Sequence, residues 1–172
     1  MEDYFKLLDQ NSADLSNKIQ GIDHNQLTFK IQQKWNILEI LEHIHLTDMA
    51  VYSLLNKSSE SHHNSDYKLG KEKVAQFLAN RNVSVEAPSY VQPIGKYSNT
   101  TEFLKPFKEL RKLIVSDIKS RKIDLDQRLH SHFLLGPMTP KDWLYLIIHH
   151  TERHMMQIDE MLSNAGKPIL NT

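Results

Sequence analysis

The chain has 172 residues, a length that suits one domain able to bury a continuous core without covalent staples. Its 21 Lys and Arg balance 21 Asp and Glu, so no overall field draws it to nucleic acid or to an anionic membrane, which argues against a phosphate-tracking role. The absence of Cys excludes a disulfide framework, a zinc ribbon and a thiol nucleophile, so any metal must be held by nitrogen or oxygen.

The opening MEDYFKLLDQ lacks the basic-then-apolar layout of a signal peptide, and no apolar run approaches the ~20 residues that span a bilayer. The expectation is a single domain over residues 1–172, cytoplasmic and without a membrane partner. Only five Gly and six Pro punctuate the sequence, and apolar residues recur at three- and four-residue spacing, which predicts an all-α fold. A first helix is predicted over residues 2–21, carrying Phe5, Leu8, Leu15, Ile19 and Ile22, with Gly21 as its stop. A second runs from Trp35 to Lys57. The connection 58–97 holds a short helix at KEKVAQFLAN and then the proline-bearing EAPSYVQPIGKYS, while His62 and His63 sit in SSESHHNSD, too polar to pack.

The third helix is predicted from NTTE, where Asn99 and Glu102 have capping-box spacing, to Lys122. Pro106 lies inside it and predicts a kink or a later start. The fourth opens at TPKDW, with Thr139 as N-cap, Pro140 at the first helical position and Asp142 near the positive end of the dipole, and ends between Asn164 and Gly166. Four such helices, each about 30 Å long, suit a four-helix bundle. The long link between the second and third makes those two parallel if it crosses the bundle's length.

Helical projection then separates the histidines. His150 and His154 differ by about 40° around the fourth helix and project from one face, with Gln157 beside them and His149 and Glu152 elsewhere. They fall in the stripe that should be packed core, where an unpaired polar group costs about 1–3 kcal/mol. His43 borders the apolar stripe of the second helix, with Glu39 one turn earlier and His45 on roughly the opposite side. If the two helices meet, three imidazoles converge on an open coordination site suited to zinc or nickel. A pair of histidines hydrogen-bonded within the core is the competing reading. The metalloprotease HExxH is absent, since Thr151 follows His150.

WNILEILEHI resembles the WSxxEILxHL segment, and HTERHMMQI the HxxRHxxQI segment, of the DinB/YfiT-like superfamily. LLGPMTPKDWLYLIIHHTERHMMQI resembles that family's glycine-threonine-tryptophan approach to the last helix, so the likeness covers most of the chain. It implies an up-down-down-up bundle, often a homodimer and mainly bacterial, with a divalent-metal site whose three histidines fall on His43, His150 and His154. It also implies an enzyme acting on a small molecule, with thiol transfer through a metal-activated thiolate and a small-thiol cosubstrate favoured over metal-assisted hydrolysis. A non-catalytic metal-binding bundle is the alternative, and a metal-free interaction protein using the aromatics of SYVQPIGKY is a third. Glu39 is expected to orient the His43 ring or to be a solvated surface carboxylate. Gln157 either meets a ligand or satisfies a core carbonyl, and His130 and His132 lie where a loop would cap the pocket. No general base is identifiable.

Overall fold

Several helix starts in the protein are set by side-chain caps. The computed structural model describes residues 3–59, 61–62, 70–80 and 85–165. Its elements are α1 (Asp3–Ile19), α2 (His24–Thr28), α3 (Ile37–Leu55), α4 (Lys71–Ala79), a single 3-10 turn at Ser89–Val91, α5 (Thr100–Lys119), the strands β1 (His130–His132) and β2 (Gly136–Met138), and α6 (Pro140–Ala165). At the head of α3, Asn36 Oδ1 accepts from Glu39 N at 2.9 Å and the Glu39 carboxylate accepts from Asn36 N at 2.8 Å, a reciprocal capping box. Asn99 Oδ1 accepts from Glu102 N to open α5. At the head of α6 Asp142 Oδ2 accepts from Thr139 N at 2.9 Å. Gly21, at φ +78°, follows α1 in the left-handed region that glycine adopts without penalty.

Pro106 does not delay α5, which begins at Thr100 and is helical on both sides of the ring. The Asn99 cap fixes the start, and Phe103 and Phe107, both fully buried and stacked with centroids 5.0 Å apart, hold the flanking turns against the core. Burying each ring stabilises by roughly 1.5–3 kcal/mol, enough to offset the ~3 kcal/mol that an internal proline costs. Two further elements escaped the pattern reading. The five-residue α2 is capped by Asp23 and Gln26, and the segment holding His130 and His132 is an antiparallel hairpin rather than a loop.

The core has two clusters. One contains Tyr4, Phe5 and Leu8 of α1, Val51 and Leu55 of α3, Ile114 and Ile118 of α5, and Trp143 to Ile148 of α6. The other contains Leu15 and Ile19, Ile37 to Ile44, Phe103 and Phe107, and Met155, Ile158 and Met161 of the same four helices. Along α1 and α6 the chain runs from the first cluster to the second, and along α3 and α5 from the second to the first. Helices α3 and α6 pack together, α1 lies against α6 and α5, and α5 against α3. The connection after α3 covers two helices: α4 packs on α6, and the strap 88–97 lies on α3 through buried Val91 and Tyr97.

Between the clusters lies a polar layer. Arg111 Nε bonds Asp48 Oδ2 at 2.7 Å, Nη1 bonds Asn11 Oδ1 at 2.6 Å, and Nη2 bonds Thr151 Oγ1 at 2.8 Å, so one guanidinium ties four helices at their waist. Asp48 and Thr151 are fully buried and Arg111 nearly so. The three histidines singled out above belong to the same stretch of α3 and α6.

Candidate metal centre

His43 is on α3, and His150 and His154 are on α6, one turn apart. Packing of α3 on α6 brings their rings together: His43 Nε2 is 3.1 Å from His150 Nε2, and His154 Nε2 is 3.0 Å from the same atom. One nitrogen from each of the three lies within 4.8 Å of the others. His43 and His154 are buried, and His150 is partly so. Trp35 lies against the outer side of the His43 ring, centroid to centroid 4.8 Å.

The far sides of two rings decide their tautomers. His43 Nδ1 is 2.7 Å from the Val91 carbonyl oxygen, and His154 Nδ1 is 2.6 Å from Gln157 Oε1. Both partners are acceptors only, so both Nδ1 atoms carry the proton and donate it, and in the neutral rings both Nε2 atoms are bare lone pairs. These lone pairs aim at one atom, His150 Nε2. A nitrogen there carries at most one proton, so it donates to at most one of the two. The His150 Nδ1 atom is buried and has no hydrogen-bond partner among the described residues.

Protonating the cluster does not relieve this conflict. Burial first, and then the neighbouring His154 and His43, hold the His150 pKa well below the usual histidine value, and burial lowers that of His43 against the opposing Val91 bond. Three neutral imidazoles facing inward are what a divalent cation of the zinc or nickel type accepts. Tetrahedral coordination at about 2.0–2.1 Å sets ligand nitrogens about 3.3 Å apart, close to the 3.1 and 3.0 Å that separate His150 Nε2 from the other two, within a set that spans no more than 4.8 Å. The donor set therefore fits a divalent metal.

The other candidates fall elsewhere. Glu39 does not touch the His43 ring, because Val91 occupies Nδ1; its carboxylate closes the α3 cap and pairs with Lys30 at 2.8 Å. Gln157 is the acceptor of the His154 ring. His132 Nδ1 accepts from Leu134 N and Leu135 N inside the hairpin, its ring lies against Trp143, and the His130 carbonyl accepts from Trp143 Nε1, two turns before His150 on α6. His149 bonds Glu152 away from the cluster. His62 is exposed and bridges to Arg128, and His63 lies outside the described residues.

Sequence reasoning missed the strap. Glu42, 1 % exposed, accepts from Ile94 N at 3.0 Å and from Gly95 N and Lys96 N at 2.9 Å each, and buried His45 bonds the Tyr97 hydroxyl. A carboxylate beside a run of ILEIL and a glycine in PIGKY carried the signal, yet nothing in the spacing joins residues so far apart. In SYVQPIGKY, Tyr90 is exposed while Tyr97 is buried against Phe103.

The protein is mostly helical, and three histidines on two of its helices form a group that could hold a metal ion. A match to the DinB superfamily spans residues 7–158, and the chain belongs to that superfamily. It is also 25 % identical over 146 residues to the uncharacterized protein YuaE of Bacillus subtilis (strain 168), covering 84 % of this chain and 88 % of that one. No solved structure matches significantly. No helix among the described residues is long and apolar enough to cross a membrane.

Proposed function

We propose that the protein is a metal-dependent enzyme of the DinB superfamily that acts on a small molecule, with His43, His150 and His154 as the ligands of one divalent ion, zinc or nickel. The observation that carries this reading is the pair of far-side bonds, to Val91 and Gln157, that strips the proton from two of the three inward nitrogens. A divalent ion with an open position supplies Lewis acidity that lowers the pKa of a bound thiol or water. In this reading His43 and His154 enter as neutral donors already oriented by Val91 and Gln157, and His150 closes the set. The four long helices form one up-down-down-up bundle, supported by the order in which each passes the two core clusters. The surrounding protein is a single cytoplasmic domain of bacterial type that pairs as a homodimer.

Thiol transfer is favoured over hydrolysis on the chemistry of the neighbours. A water nucleophile is helped by a nearby base, but Glu39 is engaged with Asn36 and Lys30, and Glu152 with His149. A thiol needs only its pKa lowered, and with no Cys in the chain it arrives as a small-thiol cosubstrate. The test is thiol consumption: metal-loaded protein is incubated with small thiols and alkylating or epoxide electrophiles. Consumption above that of the metal-free protein, lost in His154→Ala, supports transfer; equal rates with and without metal refute it.

A further inference from the structure

The ring of His43 is oriented by something outside its own helix. His154 is held by Gln157 one turn along α6, whereas His43 leans on Val91, a residue of the strap 88–97 whose chain lies 48 positions away. The Val91 carbonyl stays in place only while the strap does. What fastens the strap is the residue next to His43: the Glu42 carboxylate receives Ile94 N on Oε1 and both Gly95 N and Lys96 N on Oε2. Three consecutive amides converge on one carboxylate because Gly95 takes φ +82°, a left-handed conformation that turns successive N–H groups to one side. A Cβ at Gly95 would meet no atom within 4 Å, so glycine is demanded there by backbone conformation and not by space.

We propose that Glu42 is a positioning residue for the metal site, acting through the strap: by clamping residues 94–96 it holds the Val91 carbonyl against His43 Nδ1–H and so presents His43 Nε2 as a bare ligand. The inference rests on the metal reading above for its consequence, but the clamp is tested in metal-free protein as well. Neighbours on α3 therefore divide the task, with Glu42 gripping the strap and His43 being gripped by it. The pairing of His45 with Tyr97 anchors the strap's far end. Charge-assisted acceptors for backbone amides are about twice as strong as neutral ones, which is why a carboxylate rather than an amide suits this position.

The experiment compares the parent full-length protein with Glu42→Gln, with Gly95→Ala, which strains the same clamp from the strap side, and with Ile114→Val, a control in the other core cluster. Cobalt(II) affinity and its visible absorption spectrum are read on loaded protein, and nitrogen NMR reads the His43 tautomer on metal-free protein. Glu42→Gln and Gly95→Ala are expected to bind cobalt roughly tenfold to a hundredfold more weakly with an altered spectrum, as loss of an outer partner does. Their His43 is expected to change from one Nδ1–H tautomer to a mixture, while Ile114→Val keeps the parent's spectrum and tautomer. Parent-like affinity, spectrum and tautomer in both clamp variants, or the same change in Ile114→Val, would overturn the proposal. If the parent itself takes up no cobalt, the metal reading fails, and the tautomer alone decides the clamp: a mixture in Glu42→Gln supports it, and an unchanged Nδ1–H form refutes it.

Discussion

His43 donates its Nδ1–H to the carbonyl oxygen of Val91 across 2.7 Å, and that bond determines which of its nitrogens faces His150. The ring reaches the centre from α3 with its lone pair already exposed. Ordering of the donor precedes any ligand, so the cost of assembling the site is met during folding.

Gln157 performs the same task for His154. Gln157→Leu removes the acceptor at 2.6 Å and frees the ring to turn. Affinity for zinc, measured by competition with a chromophoric chelator, is expected to fall roughly tenfold to a hundredfold, and Gln157→Glu is expected to retain it because a carboxylate accepts the same proton. Equal affinity for Gln157→Leu and parent would show that packing alone aligns His154.

The waist of the molecule depends on Arg111. Arg111→Met leaves the buried Asp48 carboxylate without its cationic partner and Asn11 and Thr151 without a shared donor. Breaking one side of a buried pair costs on the order of 3–5 kcal/mol. Urea unfolding of the variant should show a loss of that size, and a loss under about 1 kcal/mol, within the range of surface pairs, would mean that the pair contributes no more than an exposed one.

Metal-free protein should lose stability in mild acid. His43 and His150 are held below the usual histidine value chiefly by burial, and His45 is lowered to about 4 by burial and then by Lys96. The unfolded chain therefore binds more protons than the folded one at any pH between about 6.5 and these lower values, and stability falls as pH drops through that window. Each such histidine contributes a slope of at most about 1.4 kcal/mol per pH unit, the one-proton limit. Thermal unfolding from pH 7.5 to pH 5 should show the decline, and it should be shallower in His45→Gln.

Much of this was legible in the chain. The caps at Asn99 and Thr139, the short helix at KEKVAQFLAN and the shared face of His150 and His154 follow from local spacing, since each involves residues within one or two turns. The contributions of Val91 and Glu42 were not, because the strap finds α3 only through the tertiary fold. Glu39 was read either toward His43 or as a solvated surface carboxylate, and neither reading included its part in the cap, where a carboxylate at the third position of a helix with Asn at the cap meets the free backbone amide. Pro106 was weighed by what it breaks; the two phenylalanines flanking it decide the outcome.

The most direct test is elemental analysis of protein purified without a histidine tag, for the parent, His43→Ala and His154→Ala, after dialysis against a weak chelator. Near one equivalent of zinc or nickel in the parent and almost none in either variant is the predicted result. The same metal content in all three, with both variants folded by circular dichroism, would contradict a shared ion between α3 and α6.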